Sequence, residues 1–241
     1  MLRSEPDLPG CCVSCTHVDS GFCAALFKAC REQSALPRLH QQFFTVRAGQ
    51  QIKCQSEARD DVLVLCSGWA FRYIQLSDGG RQILRFLLPG DIFSPAAIFA
   101  KGMSFSAKAL TQVQVSRLDG EEVRKQCRAD ELVMMEVFRS LGDNGRASYE
   151  LITVLGQRPA ERRIAHLLLS LMRRVAVDGV VRHHRYPFPL KQQHIADAVG
   201  LTSVHVSRVL ALFRDRKILT ISEGRLEVTD LAELERLAAL N

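Results

Sequence analysis

The chain has 241 residues, of which 47% are hydrophobic and 24% charged, and its formal net charge is +6. These values describe one or two globular domains with real cores and exclude a disordered or fibrous protein. The N-terminal stretch MLRSEPDLPG carries acids and no apolar run, and no later segment approaches the length of a membrane span. We therefore expect no signal peptide and a cytoplasmic protein.

Residues 1–35 form a cysteine-rich N-terminal extension. Cys12, Cys15 and Cys23 have the spacing C-x2-C-x7-C, which places two thiolates on a tight turn and returns a third to the same point. Disulfides are uncommon in the cytoplasm, and soft thiolate ligands suit an iron–sulfur cluster or a structural zinc. The alternative is a set of reduced, unligated thiols. The prolines and glycines of this segment predict loop over much of it.

Residues 36–119 are predicted to form a β-roll. Short aliphatic and β-branched runs alternate with turn signals at Ala48-Gly49, Asp78-Gly79-Gly80 and Pro89-Gly90-Asp91. The runs are FFTV, DVLVLC, WAFRYIQL, RQILRFLL and QVQVSRL. Strands at this spacing indicate a small barrel or double-stranded roll. The aromatic residues of WAFRYIQL are expected to belong to its core.

Residues 120–157 are predicted to contain a dimerisation helix, with a helical pattern running from about Gly120 to Leu155. Its apolar stripe is Met134, Phe138, Leu141, Ile152 and Leu155. A long helix gains little stability from propensity alone, so this stripe is expected to pack on the β-roll or on a second copy of itself. Small residues such as Gly142 and Gly145 would permit two helix backbones to approach closely.

Residues 158–241 are predicted to form a winged helix-turn-helix domain. Ala160 to Val177 is an amphipathic helix, and the loop RHHRYPFPL follows it. Its paired histidines, His183 and His184, are expected to be solvated. Further on, ILTISEGRLEVTD predicts two short strands around Glu223-Gly224, which form the wing, and the last helix begins at Asp230.

The helix-turn-helix itself lies between Leu190 and Leu219. Ala196, Gly200 and Val206 have the spacing A-x3-G-x5-V, in which the alanine permits a close crossing, the glycine ends the first helix and the valine is buried. Thr202 is the expected N-cap of the second helix. The residues expected to face a DNA major groove are Ser203, His205, Ser207 and Arg208.

The basic charge of the chain coincides with this motif. Between Arg158 and Lys217 there are twelve Lys and Arg residues against four acids. A basic segment that contains a helix-turn-helix is the electrostatic pattern of a protein that neutralises DNA phosphates.

The order of elements and four stretches resemble the CRP/FNR superfamily of bacterial transcription regulators. The stretches are Val64 to Gly68 (VLCSG), Phe86 to Phe93 (FLLPGDIF), Pro159 to Leu167 (PAERRIAHL) and the helix-turn-helix. The resemblance implies an α+β fold with an N-terminal jelly roll of the cyclic-nucleotide-binding type, a long dimerisation helix and a C-terminal winged helix-turn-helix. It also implies a homodimer on a two-fold double-stranded DNA site, with RNA polymerase as a partner.

The chain departs from the family pattern at the positions that bind a cyclic nucleotide or an iron–sulfur cluster in other members. The cyclic-AMP-binding branch has an Arg-Ser pair for the cyclic phosphate where this chain has Phe105-Ser106, so no cyclic nucleotide is expected. The FNR branch holds a [4Fe-4S] cluster through three N-terminal cysteines, matched here by Cys12, Cys15 and Cys23, and a fourth cysteine. Ser116 stands at the fourth position, so the cluster is completed by another cysteine, or is labile or absent. The candidates are Cys11, Cys30 and Cys127.

The recognition helix also departs from the family. Both familiar branches carry a glutamate followed four residues later by an arginine, which read cytosine and guanine respectively. Arg208 matches the arginine and Ser207 matches an FNR-type serine, but Val204 replaces the glutamate. We expect a two-fold site with a guanine read by Arg208 and an altered half-site.

The sequence thus predicts a DNA-binding transcription regulator, closer to the FNR branch, that responds to oxygen or redox state, with an iron–sulfur cluster on the N-terminal cysteines. The alternative is sensing on the same scaffold by zinc, haem, thiol oxidation or a small molecule in the β-roll. We find no nucleophile elbow, phosphate loop or paired catalytic carboxylates, and therefore do not expect an enzyme.

Overall fold

The computed structural model of the protein describes residues 21–32, 41–53, 60–100, 105–177 and 185–240. The helices in these ranges are α1 (Gly21–Glu32), α2 (Gly120–Ala129), α3 (Glu131–Gln157), α4 (Ala160–Val177), α5 (Gln192–Val199), α6 (Ser203–Asp215) and α7 (Leu231–Ala238). The strands are β1 (Gln41–Val46), β2 (Gln51–Lys53), β3 (Asp61–Ser67), β4 (Ala70–Gln75), β5 (Arg81–Leu87), β6 (Ser106–Ala109), β7 (Val113–Asp119), β8 (Arg185–Pro187), β9 (Leu219–Ser222) and β10 (Arg225–Val228). The predicted α+β class is confirmed.

The chain divides into two compact units. The first is Met1–Ala70 with Leu87–Asn144, and the second is Phe71–Phe86 with Gly145–Asn241. Because these units do not follow the chain in sequence order, the predicted division into four consecutive segments stays a prediction.

The first unit contains antiparallel strands. β7 is the middle strand of a sheet with the order β1-β7-β3, and Ser116 lies opposite Phe43 on one side and Val64 on the other. β2 pairs with β6. The predicted runs FFTV, DVLVLC and QVQVSRL fall in β1, β3 and β7. The sequence does not predict β2 or β6, because strands of three and four residues are too short to show a periodicity.

Helix α1 packs on the core of this unit and corrects the prediction of loop over much of residues 1–35. Phe22 and Leu26, four residues apart, form one apolar helix face that the core buries. The cluster that they join includes Val62, Val64, Leu118, Val123, Cys127, Val133 and Val137. Helix therefore replaces loop from Gly21 to Glu32, while residues 1–20 and 33–35 lie outside the described ranges.

The single helix predicted from Gly120 to Leu155 is wrong, because the helix breaks at Asp130. The backbone of Asp130 is extended, with φ −133° and ψ 116°. Its Oδ1 atom accepts a hydrogen bond of 2.8 Å from the backbone N–H of Leu132 in α3. An aspartate in this role satisfies a free N–H group at a helix start, so local capping outweighs the apolar periodicity here.

The predicted stripe on the long helix divides between two faces of α3. Met134 and Leu141 pack against the core of the first unit. Phe138 and Ile152 are 58% and 68% exposed, so they belong to a different face. The prediction combined the two faces because both carry apolar residues at three- and four-residue steps.

The second unit contains the β4–β5 hairpin and the C-terminal domain. Phe71 and Tyr73 of β4 are buried, which confirms the prediction that these aromatic residues are core. Helix α4 has its predicted bounds. Strands β8, β10 and β9 form an antiparallel sheet in that order, and the β9–β10 turn places Glu223 and Gly224 at φ 50° and 70°. The wing is therefore confirmed.

Strand β8 corrects the prediction that RHHRYPFPL is a loop throughout. Tyr186 of this strand lies opposite Leu226 of β10, and both side chains are buried. His183 and His184 precede it and lie outside the described residues. Among the described helices none is by itself long and apolar enough to cross a membrane; α5 and α6 meet the length and composition criteria only as a pair, bent by 105°.

Replacing Gly68 by alanine is expected to destabilise the first unit strongly. Gly68 has φ +79°, and an added Cβ would lie 2.3 Å from the carbonyl oxygen of Gln112. We expect a loss of about 3 kcal/mol from the combined backbone strain and steric overlap, measured as a lower urea midpoint with an unchanged slope.

Gly79→Ala is the matched control, because Gly79 has φ +87° but nothing within 4 Å of an added Cβ. Its loss should be about 1 kcal/mol. Equal losses for the two variants would show that the contact with Gln112 has no energetic weight.

Candidate nucleic-acid interface

Helices α5 and α6 form the predicted helix-turn-helix. Gly200 takes the left-handed conformation, with φ 64° and ψ 44°, and its N–H donates to the carbonyl oxygen of Ala196. The N–H of Leu201 donates to the same oxygen at 3.1 Å. The two helices are bent by 105° relative to one another. The glycine therefore ends α5 and turns the chain into α6, as its position in the motif predicts.

Apolar residues hold the two helices together. Ala196 and Val206 are fully buried where α5 and α6 pack. The other buried residues of the pair are Ile195, Ala198, Val199, Val209 and Phe213. This confirms the steric roles that the sequence assigned, with Leu201 and Leu210 only half-buried.

Thr202 begins the recognition helix. Its Oγ1 atom accepts a hydrogen bond of 3.2 Å from the backbone N–H of His205, which confirms the predicted N-cap. The first turn of α6 contains no acidic residue. The positive end of the helix dipole is therefore not neutralised locally, which favours a phosphate or a base-edge acceptor nearby.

The predicted DNA-reading residues lie on or beside one exposed face of α6. His205, Ser207 and Arg208 are exposed, while Ser203 is half-buried. A shallow groove is lined by Thr202, Val204, His205, Arg208, Val209 and Leu212. The structure thus brings His205 and Arg208 into one groove, and Ser203 and Ser207 lie outside its lining.

Two exposed apolar residues in this groove were not among the predicted site residues. Val204 is 61% exposed and Leu212 is 38% exposed. They lie one turn before and one turn after Arg208, at steps of four residues. The sequence signal that could have identified them is this i, i+4, i+8 stripe, which is offset from the buried stripe of Val206, Val209 and Phe213.

Some of the basic residues between Arg158 and Lys217 form ion pairs with acidic residues, so their charge is already neutralised within the protein. Arg216 donates to Glu233 at 2.6 Å and lies 3.6 Å from Glu161. Hydrogen bonds from Arg236, together with the charges of Arg236 and Arg216, hold the pKa of Glu233 below its ordinary value. Arg208, by contrast, has no ion-pair partner within the described ranges. It keeps its donors available for a base or phosphate.

The β4–β5 hairpin contacts the first helix of the motif within the second unit. Arg81 Nε donates to Asp197 Oδ2 at 2.5 Å, and Gln82 Nε2 donates to the carbonyl oxygen of Ala198 at 3.1 Å. The Arg81 guanidinium also lies 5.1 Å from the centre of the Phe71 ring. These hydrogen bonds join the β4–β5 hairpin to the C-terminal half of α5.

Comparison with known protein families identifies the same helix-turn-helix and a second domain before it. Residues 162–237 match the Crp-like helix-turn-helix domain, and residues 43–130 match the cyclic nucleotide-binding domain. The chain is 31% identical over 196 residues to the nitrogen fixation regulation protein FixK of Rhizobium meliloti, covering 81% of this chain and 85% of FixK. It belongs to the CRP/FNR family of DNA-binding transcription regulators.

Other members of the family support the assignment. The transcriptional activatory protein AadR of Rhodopseudomonas palustris is 33% identical over 190 residues, covering 77% of this chain and 76% of AadR. The solved structure of FixK2 from Bradyrhizobium japonicum aligns with a TM-score of 0.75 at 26% identity, covering 83% of this chain and 98% of that one. The relatives are transcription regulators rather than enzymes.

The structure describes only part of the proposed cysteine site. Cys11, Cys12 and Cys15 lie outside the described residues, and the side chain of Cys30 is not described. Cys23 is half-buried on α1 against the core cluster of the first unit. Within the described residues no group of three or more His, Cys, Asp or Glu side chains could hold a metal ion.

The family's fourth ligand position is occupied by a serine that is already hydrogen-bonded. Ser116 is 2% exposed, and its hydroxyl accepts a hydrogen bond of 2.7 Å from Gln41 Nε2. Cys127 is buried in the core, where desolvation raises the pKa of its thiol and disfavours the thiolate. The described residues therefore do not fit a four-cysteine cluster on the family pattern.

The loop that would hold a cyclic phosphate is only partly described. Phe105 and Ser106 are both buried at the start of β6, and residues 101–104 lie outside the described ranges. The expectation that no cyclic nucleotide binds here stays a prediction.

Proposed function

We propose that this CRP/FNR family regulator acts as a homodimer and responds to oxygen or redox state through Cys12, Cys15 and Cys23. The observation that carries its DNA-reading role is the exposed surface of α6, where His205 and Arg208 line one groove and Ser207 is exposed beside it. The redox part rests on the C-x2-C-x7-C spacing, which resembles that of the oxygen-sensing FNR branch.

Several chemistries at the cysteines could report oxygen or redox state, and an iron–sulfur cluster is the first of them. Three thiolates at this spacing suit an iron–sulfur cluster, which would supply an oxygen-labile group. Ser116 and Cys127 do not complete the usual ligand set, so we assign no step to such a group. Zinc, haem, direct thiol oxidation and a small molecule in the β-roll remain the competing sensor classes, and no described residue favours one of them.

The dimer is proposed from the exposed face of α3. Its large apolar members are Met135, Phe138, Tyr149 and Ile152, each more than half exposed. With Gly142, Gly145 and Gly156 they form a repeat at alternating steps of three and four residues, the spacing of a two-helix seam. An added Cβ at any of these glycines would meet nothing within 4 Å in the single chain. A second α3 is the natural occupant of this face.

A dimer would supply the two recognition helices that a two-fold DNA site requires. RNA polymerase is the proposed partner through which promoter binding would change transcription. A regulator of this kind would work in the cytoplasm, where bacterial DNA is transcribed.

The redox proposal is tested by purifying the protein without oxygen and measuring its visible spectrum, its metal content and its DNA binding before and after exposure to air. We expect DNA affinity to change on exposure, and we expect the double variant Cys12→Ser, Cys15→Ser to lose this response. A brown, air-bleached absorption with bound iron would identify a cluster, and a colourless zinc-containing protein would exclude it.

Cys66→Ser is the matched control, because Cys66 is a half-buried cysteine on β3, away from the N-terminal cluster in the sequence. This variant should keep the wild-type response. If wild type and the double variant bind DNA equally with and without oxygen, the redox proposal is wrong and the DNA-binding role stands.

A further inference from the structure

Val204 occupies a position that folding alone does not explain. Its side chain is 61% exposed in the first turn of α6, although valine is a poor residue for an exposed helical position. The core of the motif is supplied by other residues of the same helix, Val206, Val209 and Phe213, which are buried. The exposed valine therefore contributes little to holding the helix in place.

Its neighbours place Val204 on the surface that reads DNA. Val204 and Arg208 are separated by four residues, so they lie on one face of α6 about 6 Å apart along its axis. Both line the same shallow groove with Thr202 and His205. The N-terminal residues of a recognition helix are those that contact base edges in the major groove.

The chemistry of the side chain limits what it can recognise. Valine has no hydrogen-bond donor or acceptor, and the 5-methyl group of thymine is the one apolar feature that base edges present in the major groove. A cytosine amino group facing Val204 would lose its bond to water without gaining a partner. A glutamate, the residue expected here from the family resemblance, has the opposite preference because it accepts from cytosine.

We propose that Val204 reads the 5-methyl group of a thymine that lies one or two base pairs from the guanine bound by Arg208. The inference rests on the proposed DNA-reading role of α6 and specifies part of its target. The departure at Val204 thereby changes the half-site from cytosine to thymine at one position.

The experiment begins with selection of binding sites from random double-stranded DNA, followed by gel-shift titration of the selected site. The thymine is then replaced in both half-sites by uracil, which removes only the methyl group. Burial of one methyl group corresponds to about fourfold in affinity per half-site. Because the site has two half-sites, we expect the wild-type dimer to lose roughly fifteenfold in affinity when both thymines are replaced.

The variants separate methyl recognition from general loss of binding, because the readout is the ratio of thymine to uracil affinity. Val204→Ala, which removes both γ-methyl groups, should reduce that ratio to about one, and Val204→Thr, which keeps one γ-methyl group, should retain most of it. Val204→Glu should favour cytosine at this position. Leu212→Ala is the matched control, since Leu212 is an exposed apolar residue of the same groove and should leave the ratio unchanged.

A two-fold consensus with equal affinity for thymine and uracil at this position would overturn the inference and leave the DNA-reading role intact. A consensus with no thymine within two base pairs of the guanine would do the same. If no consensus emerges at all, sequence-specific binding itself is wrong, and the inference fails with it.

Discussion

Replacing Ile152 by glutamate is expected to convert the proposed dimer into a monomer and to weaken binding to a two-fold DNA site by roughly 10²- to 10⁴-fold. Ile152 is 68% exposed in the single chain, so the substitution costs the fold of one protomer little. In the proposed dimer the same change places two carboxylates in an apolar seam between α3 helices, where like charges repel and lose their water. Light scattering after size-exclusion chromatography measures the mass, and gel shift measures the affinity.

Leu76→Glu is the control for this prediction. Leu76 is 47% exposed, and it follows β4 instead of lying on α3. The same apolar-to-acidic change there should leave the protein dimeric and its DNA affinity unchanged. A dimeric Ile152→Glu protein would show that the exposed face of α3 is not the seam.

The helix-turn-helix could be predicted from the sequence because its determinants are local. Ala196, Gly200 and Val206 lie within eleven residues of one another, and each has a steric role within the motif itself. The structure gives the glycine its left-handed backbone and buries the other two. The bounds of α4 were predictable for the same reason, since its apolar and basic faces alternate with one helical period.

Contacts between residues far apart in the sequence could not be predicted. Arg81 and Asp197, which join the β4–β5 hairpin to α5, are separated by 116 positions. Gln41 and Ser116 are separated by 75 positions, and only the pairing of β1 with β7 shows that the serine hydroxyl already has a donor. The sequence could identify Ser116 as a departure from the family pattern, but not the partner that stabilises it.

Apolar residues on α3 show a second limit of pattern reading. Met134 and Phe138 are four residues apart and looked equivalent, yet one packs on the core and the other is exposed. Which face of a helix meets its own chain depends on where the sheet lies, and periodicity carries no information about that. The exposed face could be distinguished only after the buried face was known.

Replacing Arg208 by alanine is expected to remove about 1–3 kcal/mol of specific binding per half-site, which for a two-fold site is about 30-fold or more in affinity. Arg208 is exposed on α6 and has no ion-pair partner in the part of the chain that the structure describes. Its loss should therefore leave the fold unchanged and remove one bidentate contact to guanine from each protomer. Gel-shift competition between the selected site and unrelated DNA measures the loss.

Arg208→Lys and Lys217→Ala separate base reading from charge. Lysine keeps the positive charge but lacks the planar pair of donors, so the selected site should lose most of its advantage over unrelated DNA. Lys217 is exposed beyond the end of α6, and its removal should weaken binding to both DNAs alike, with a lower dependence on salt. If Arg208→Ala lowers affinity for both DNAs equally, Arg208 contacts phosphate, and the guanine of the half-site must be read by another residue of the groove.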